Sequence, residues 1–297
     1  MYHDPVLLNQ CIDGLSINPN GVYVDATMGG GGHSRAIFDK LENGKLIAFD
    51  QDADSLQNAI NDERFIMVNQ NFKYLKNFLK FHGFEKVDGI LADLGVSSHQ
   101  FDEAERGFST RFNANLDMRM DRKQAMDAAT IINTYDQDEL IRVFKDYGEI
   151  KSSYKLALTI CEKRELSPIK TTAQLNEIIA DIFPKTRINK FQAMVFQALR
   201  IEVNDELSAL KSFLKQTPEV LNPGGRLVIM SYHSLEDRLV KNFIRSGNFQ
   251  GKVEKDFYGH PLVDFKTFSS KPIVPDEDEI ERNNRARSAK LRIAERK

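Results

Sequence analysis

The stretch VYVDATMGGGGHSRAIF, residues 22–38, decides how this chain is read. A short β-branched and aromatic run ends in Asp25 and soon meets four consecutive glycines, Gly29, Gly30, Gly31 and Gly32. Without Cβ atoms, glycines accept positive φ and let backbone N–H groups come close to a ligand. Residues 33–41 follow at helical spacing, with Ile37, Phe38 and Leu41 on one face, so the glycines join a strand to a helix N-terminus. Unpaired N–H groups and the positive end of the helix dipole favour an anionic group there. Phosphate, pyrophosphate and an amino-acid carboxylate all qualify; the plain alternative is a flexible surface connection. No Gly-Lys-Ser or Gly-Lys-Thr follows to make a P-loop, and neither usable register supplies the last glycine of G-x-G-x-x-G.

Outward from that loop, short buried runs at 22–25, 46–50, 65–68 and 89–93 alternate with helical stretches at 53–60 and 74–81. Such alternation predicts an α/β fold, a mostly parallel sheet flanked by helices. Each run ends in or near a polar residue, and open sheets of this kind bind ligands beyond the C-terminal ends of their strands. From about residue 103 the pattern becomes successive helices, with no convincing strand before Arg226. Thr171-x-x-Gln174 is a capping box, and Ile178, Ile179, Ile182 and Phe183 make an apolar stripe behind it. Leu140, Ile141, Phe144 and Tyr147 make another; both stripes read as core. LNPGGRLVIMSYHSLEDR, residues 221–238, then resumes the turn, strand and helix pattern. The sheet domain, 1–102 and 201–297, is therefore expected to be interrupted by a helical insert at 103–200.

Bulk properties exclude several classes. A hydrophobic fraction of 41% and a charged fraction of 28% over 297 residues suit a globular chain with a full core, not a disordered one. Two cysteines, Cys11 and Cys161, are too few for a disulfide scaffold and read as core thiols of a reducing, cytoplasmic setting. No apolar run approaches the ~20 residues of a membrane span, and MYHDPVLLNQ lacks a secretory pattern, so no membrane partner is expected. A net charge of -2 leaves nucleic-acid binding to local clusters. One such cluster closes the chain: residues 279–297 hold seven Lys or Arg against three Glu, which reads as a solvated tail or a nucleic-acid contact.

Asp50 stands about 20 residues past the glycines, where an acid accepts the two hydroxyls of a ribose. The ligand is then a nucleoside, either a nicotinamide dinucleotide or S-adenosylmethionine. Asp25, just ahead of the loop, repels a pyrophosphate but suits the ammonium of a methionine moiety, which makes S-adenosylmethionine the better fit. Asp93, ending the run at 89–93, is placed to accept a hydrogen bond from an exocyclic amine and orient it for attack on a methyl group. Six scattered histidines without C-x-x-C or H-E-x-x-H predict no metal. Ser231, His233 and Asp237 lie too close in sequence, without a G-x-S-x-G elbow, for a hydrolase triad.

Taken together, HDPVLL at residue 3, DATMGGGGHS at 25, VDGILADLGVSSHQFD at 87 and RGFST at 106 resemble a known family. LDMRMD at 116, FQALRIEVNDEL at 196, GGRLVIMSYHSLEDR at 224 and SKPIVPDEDEIERNNRARSAKLR at 270 continue the likeness nearly end to end. The family is that of bacterial ribosomal RNA small-subunit methyltransferase H, also called RsmH or MraW. The resemblance implies a class I methyltransferase fold with a helical insert, and S-adenosylmethionine-dependent methylation of the N4 amine of a decoding-centre cytidine in 16S rRNA. It places cofactor contacts on Gly31, Gly32, His33, Asp50, Phe72, Asp93 and Gln100. RNA in the small ribosomal subunit is the implied partner, with monomer and homodimer both left open. Arg106, Arg111, Arg119 and Arg122, with Arg285, Arg287, Lys290 and Arg292, are expected to line the RNA path. The chain departs from the family at Gln10, at Asn113-Ala114-Asn115 and along TRINKFQAMVFQALR, none of which touches the cofactor positions.

Overall fold

A computed structural model describes residues 5–297. Contacts divide the chain into two units, 1–95 with 207–297, and 96–206; the insert expected at 103–200 lies inside the second.

The first unit is built on a seven-stranded sheet: β1 Val22–Asp25, β2 Lys45–Phe49, β3 Phe65–Val68, β4 Val87–Asp93, β5 Leu221–Ser231, β6 Phe265–Thr267 and β7 Lys290–Arg296. Their order is β3-β2-β1-β4-β5-β7-β6, and β7 alone runs against its neighbours. This is the class I methyltransferase arrangement. The chain winds outward from β1 to β3, then returns to lay β4 on the other side of β1, so the sheet reverses direction at the β1/β4 seam. A crevice at such a reversal is where doubly wound sheets hold ligands.

Helices cover both faces. On one lie α1 Leu8–Leu15 and α2 Gly32–Phe38; on the other α3 Leu75–Phe81, α10 Glu206–Val220 and α11 Ser234–Ser246. Along β4, Ile90 and Ala92 enter one core and Leu91 the opposite one, the period-2 alternation of a strand buried on both sides. A short helix, α12 Glu277–Arg282, precedes β7. The helix expected at 53–60 is instead a 3-10 turn, Ala53–Asn58. Only Ser55 of that segment is buried and Leu56 faces solvent, so no apolar stripe repays a full helix.

The end of the chain is neither a solvated tail nor a free basic arm. Residues 290–296 form β7, hydrogen-bonded to β5 in a register that sets Leu291 opposite Met230 and Ala294 opposite Leu227. Leu291 and Ala294 are fully buried. The charge count of the segment hid this alternation of apolar and basic residues.

The second unit is helical: α4 Ser98–Asp102, α5 Ala128–Thr134, α6 Gln137–Asp146, α7 Ser153–Leu166, α8 Thr172–Ile182 and α9 Ile188–Asn204. It has its own apolar core, to which the expected stripes contribute Leu140 and Phe144 from α6 and Ile178, Ile179 and Phe183 from α8 and its end. Thr171 and Gln174 close the capping box of α8 reciprocally, as their spacing requires.

Candidate active site

Three carboxylates stand at the C-terminal ends of β1, β2 and β4, and the glycine loop is tied to them. Asp25 is 1% exposed; it accepts from the Thr27 amide at 3.1 Å and from the Ser34 hydroxyl at 2.6 Å. Asp50 accepts from the amides of Gly29 at 2.7 Å and Asp52 at 2.8 Å, so it clamps the first glycine to the end of β2. Asp93 accepts from the Tyr232 hydroxyl at 2.8 Å, and its own amide donates to the Thr27 hydroxyl at 2.6 Å. Its other oxygen lies 3.7 Å from His33 Nδ1.

Asp50 and Asp93 are both partly exposed, and of the three only Asp25 is buried. The Asp93 side chain keeps 24% exposure. Asp25 is sealed beneath the loop: its oxygens brace the turn, and only its charge reaches a ligand. Burial is the first cause that pushes all three carboxyls up to about 6. Asp93 is further raised by Asp25 and Glu236, and held back by His33 and the Tyr232 hydroxyl. Burial, with Asp93 beside it, pushes the Tyr232 phenol well above its ordinary value.

The loop needs its glycines for two different reasons. Gly31 sits at φ 79°, where a Cβ is strained. A Cβ on Gly32 would stand 2.2 Å from Pro5 Cγ, because the segment ahead of α1 packs directly onto the loop. His33, in the first turn of α2, is 6% exposed, with Nε2 3.2 Å from the Val6 carbonyl. Phe72 follows β3 in a short 3-10 turn capped by Asn71, and meets Phe213 edge-on at 5.2 Å.

Seven of the eight expected cofactor residues, Asp25, Gly31, Gly32, His33, Asp50, Phe72 and Asp93, thus lie in the first unit at or just beyond the C-terminal ends of β1 to β4. Gln100 lies in the second unit, where its side chain closes a capping box with Ser97 at the start of α4. Tyr232 was not expected in the site. It follows β5 directly, and the rule that ligands gather at strand ends points to it once β5 is known to neighbour β4. Ser231, His233 and Asp237 form no triad: His233 caps α11, and Asp237 pairs with Arg292.

The basic residues expected on an RNA path divide. Arg106 is 2% exposed and donates to the carbonyls of Arg119 and Met120, so it is the internal strut of a loop, not a phosphate contact. Arg119 is held by a two-oxygen pair with Asp117 and by the carbonyls of Arg122 and Gln124. Arg292 sits on β7 with only 10% of its side chain exposed and grips Asp237 at 2.6 Å. Lys290 lies 3.8 Å from the same carboxylate. Arg111, Arg122, Arg285 and Arg287 are exposed.

A family model described as the MraW methylase family matches residues 1–297. The chain is 58% identical over 296 residues to the Ribosomal RNA small subunit methyltransferase H of Flavobacterium johnsoniae, covering 99% of this chain and 98% of that protein. To the protein of the same name from Christiangramia forsetii it is 55% identical over 294 residues, covering 99% and 97%. To that of Bacteroides thetaiotaomicron it is 54% identical over 297 residues, covering 100% and 98%.

Proposed function

The chain belongs to the MraW methylase family, and on that premise we propose that it methylates small-subunit ribosomal RNA with S-adenosylmethionine, at the N4 amine of a decoding-centre cytidine in 16S rRNA. The observation that carries this reading is the set of three carboxylates at neighbouring strand ends around one glycine loop, with Asp50 and Asp93 partly exposed.

The residues present fit the cofactor. Asp50 uses one lone pair of each oxygen on backbone amides and keeps another on each for ribose hydroxyls. The glycine loop offers backbone N–H groups to a methionine carboxylate, and Asp25 supplies a negative field for its ammonium. Phe72 offers an apolar ring to adenine. Bound there, S-adenosylmethionine supplies a methyl group on a positively charged sulfur.

The protein's share of the chemistry is positioning. An amine attacks a methyl carbon in line with the bond that breaks, and holding that line is worth several powers of ten. Asp93 accepts a hydrogen bond from the exocyclic amine and turns its lone pair toward the methyl carbon. The Tyr232 hydroxyl, fixed on one oxygen of Asp93, keeps the carboxylate from rotating away. The exposed Arg111 and Arg122 of the second unit, and Arg285 and Arg287 of the first, are each offered to RNA phosphates, and such a substrate places the work in the cytoplasm.

Calorimetry with S-adenosylmethionine, S-adenosylhomocysteine and NADH tests the cofactor. Asp50→Ala should weaken the first two by roughly 10²-fold, the loss of about 2–3 kcal/mol of hydrogen bonding to a charged group. Nucleoside mass spectrometry of methylated small-subunit RNA tests the acceptor. Binding of NADH alone, or methyl label on any base atom other than cytosine N4, overturns the corresponding half of the proposal.

A further inference from the structure

The ring of His33 is held in one protonation pattern by its surroundings. Nε2 lies 3.2 Å from the Val6 carbonyl, which can only accept, so that nitrogen carries a proton. In the neutral ring Nδ1 is then a bare lone pair, and it faces Asp93 Oδ2 at 3.7 Å. An ionised carboxylate is also acceptor-only. Two acceptors facing each other repel, and a proton on Nδ1 replaces that repulsion with attraction between imidazolium and carboxylate. The second oxygen of Asp93 is taken by the Tyr232 hydroxyl at 2.8 Å, so the carboxylate cannot turn to escape.

The ring cannot turn either. His33 is 6% exposed, and the segment that supplies the Val6 carbonyl packs Pro5 against Gly32. The next residue, Leu7, donates its amide to Glu279 of α12 at 2.7 Å, which pins the segment in place.

We propose that His33, through Nδ1, is the proton partner of Asp93, and that the pair takes up the proton released by the acceptor amine. This rests on the methyl-transfer reading above. As the amine nitrogen bonds to the methyl carbon, the carbon–sulfur bond breaks and its electron pair stays on sulfur, cancelling the positive charge there. The surplus N–H proton passes to Asp93 Oδ2, from which the His33 Nδ1 lone pair 3.7 Å away can take it, then leaves to water when product departs. The ionised Asp93 is the form that takes the proton, so the rate rises with pH as its carboxyl ionises. Asp25 on β1, Glu236 on α11 and the Tyr232 hydroxyl also face Asp93, and Cys11 of α1 lies within its field. All four stay in place when His33 alone is changed.

His33→Gln is the decisive variant, because its terminal amide can still reach the Val6 carbonyl while no titrating nitrogen remains. With cofactor and RNA saturating, kcat should fall about 10²-fold, the scale of losing a proton acceptor. The acid limb of its pH profile should move to higher pH, since His33 is among the groups that hold the Asp93 carboxyl down. A lower kcat with the limb unmoved means a structural role and overturns the proposal. Independently of turnover, ¹⁵N NMR of histidine-labelled protein should show His33 protonated on Nε2 alone at high pH. A proton on Nδ1 instead overturns it as well. If wild-type enzyme makes no N4-methylcytidine, the functional reading fails while the NMR result still decides the tautomer.

Discussion

A buried carboxyl with a raised pKa has a sign that can be measured. Asp93 titrates at about 6 in the folded chain, against 3.8 for the free side chain. Between those values the folded state binds more protons than the unfolded one, so this group's contribution to stability falls as pH rises through the window. Asp93→Asn keeps an acceptor for the Tyr232 hydroxyl and removes the charge. It should therefore melt above wild type at pH 7.5, by up to about 3 kcal/mol of stability, and the gap should close toward pH 5. Thermal denaturation at the two pH values checks this; a gap that stays constant sinks it. Arg106→Ala behaves in the opposite way to a phosphate contact: it leaves the carbonyls of Arg119 and Met120 without their donor. We expect a loss of about 2–3 kcal/mol in stability, with RNA salt dependence in the surviving folded protein unchanged.

At the scale of elements, the last strand separates structure from recognition. Removing residues 290–297 strips β5 of its antiparallel partner, leaving it an open edge, and exposes the cores that Leu291 and Ala294 fill, so the truncated chain should be insoluble. Arg287, exposed in the turn before β7, carries no such burden. Arg287→Ala should leave the melting temperature unchanged and lower the slope of log affinity against log salt by about 1, read from RNA binding across a salt series. If the slope stays put, the turn is no part of the RNA surface.

These elements also show where pattern reading works and where it stops. Residues 22–25, 65–68 and the capping box at Thr171 carry their structure locally, in branched side chains or a reciprocal hydrogen bond, and the structure has them where the pattern puts them. Residues 290–296 do not: a strand of alternating basic and apolar residues reads as a charged tail until β5 is there to pair with it. Segment 53–58 errs the other way, having helical composition but no face to bury.

For the whole molecule, the division into units invites a direct test. Residues 96–206 enclose a core of their own, from Phe108 through Val203. Expressed alone, this segment should give a helical circular-dichroism spectrum and a cooperative thermal transition. A chain that stays unfolded would mean that the insert depends on the sheet unit for its stability.

What the sequence determined by itself is whatever short range or residue identity can specify. The strand-to-glycine-to-helix unit, the acids that end three strands and the change to helical period near residue 103 are all local patterns. Identity along those patterns also carried the family. The tertiary structure alone decided which chemical groups meet. Tyr232 and Asp93 are 139 residues apart and touch because β5 pairs with β4. Val6 and His33 touch because the segment ahead of α1 folds onto the glycine loop. Tertiary burial likewise turned Arg106 from a candidate RNA contact into an internal strut, while ion pairs with Asp117 and Asp237 engage the part-exposed Arg119 and Arg292. A charge along the chain is the same letter in either role, and only the groups that long-range packing brings around it settle whether it faces water or a carbonyl.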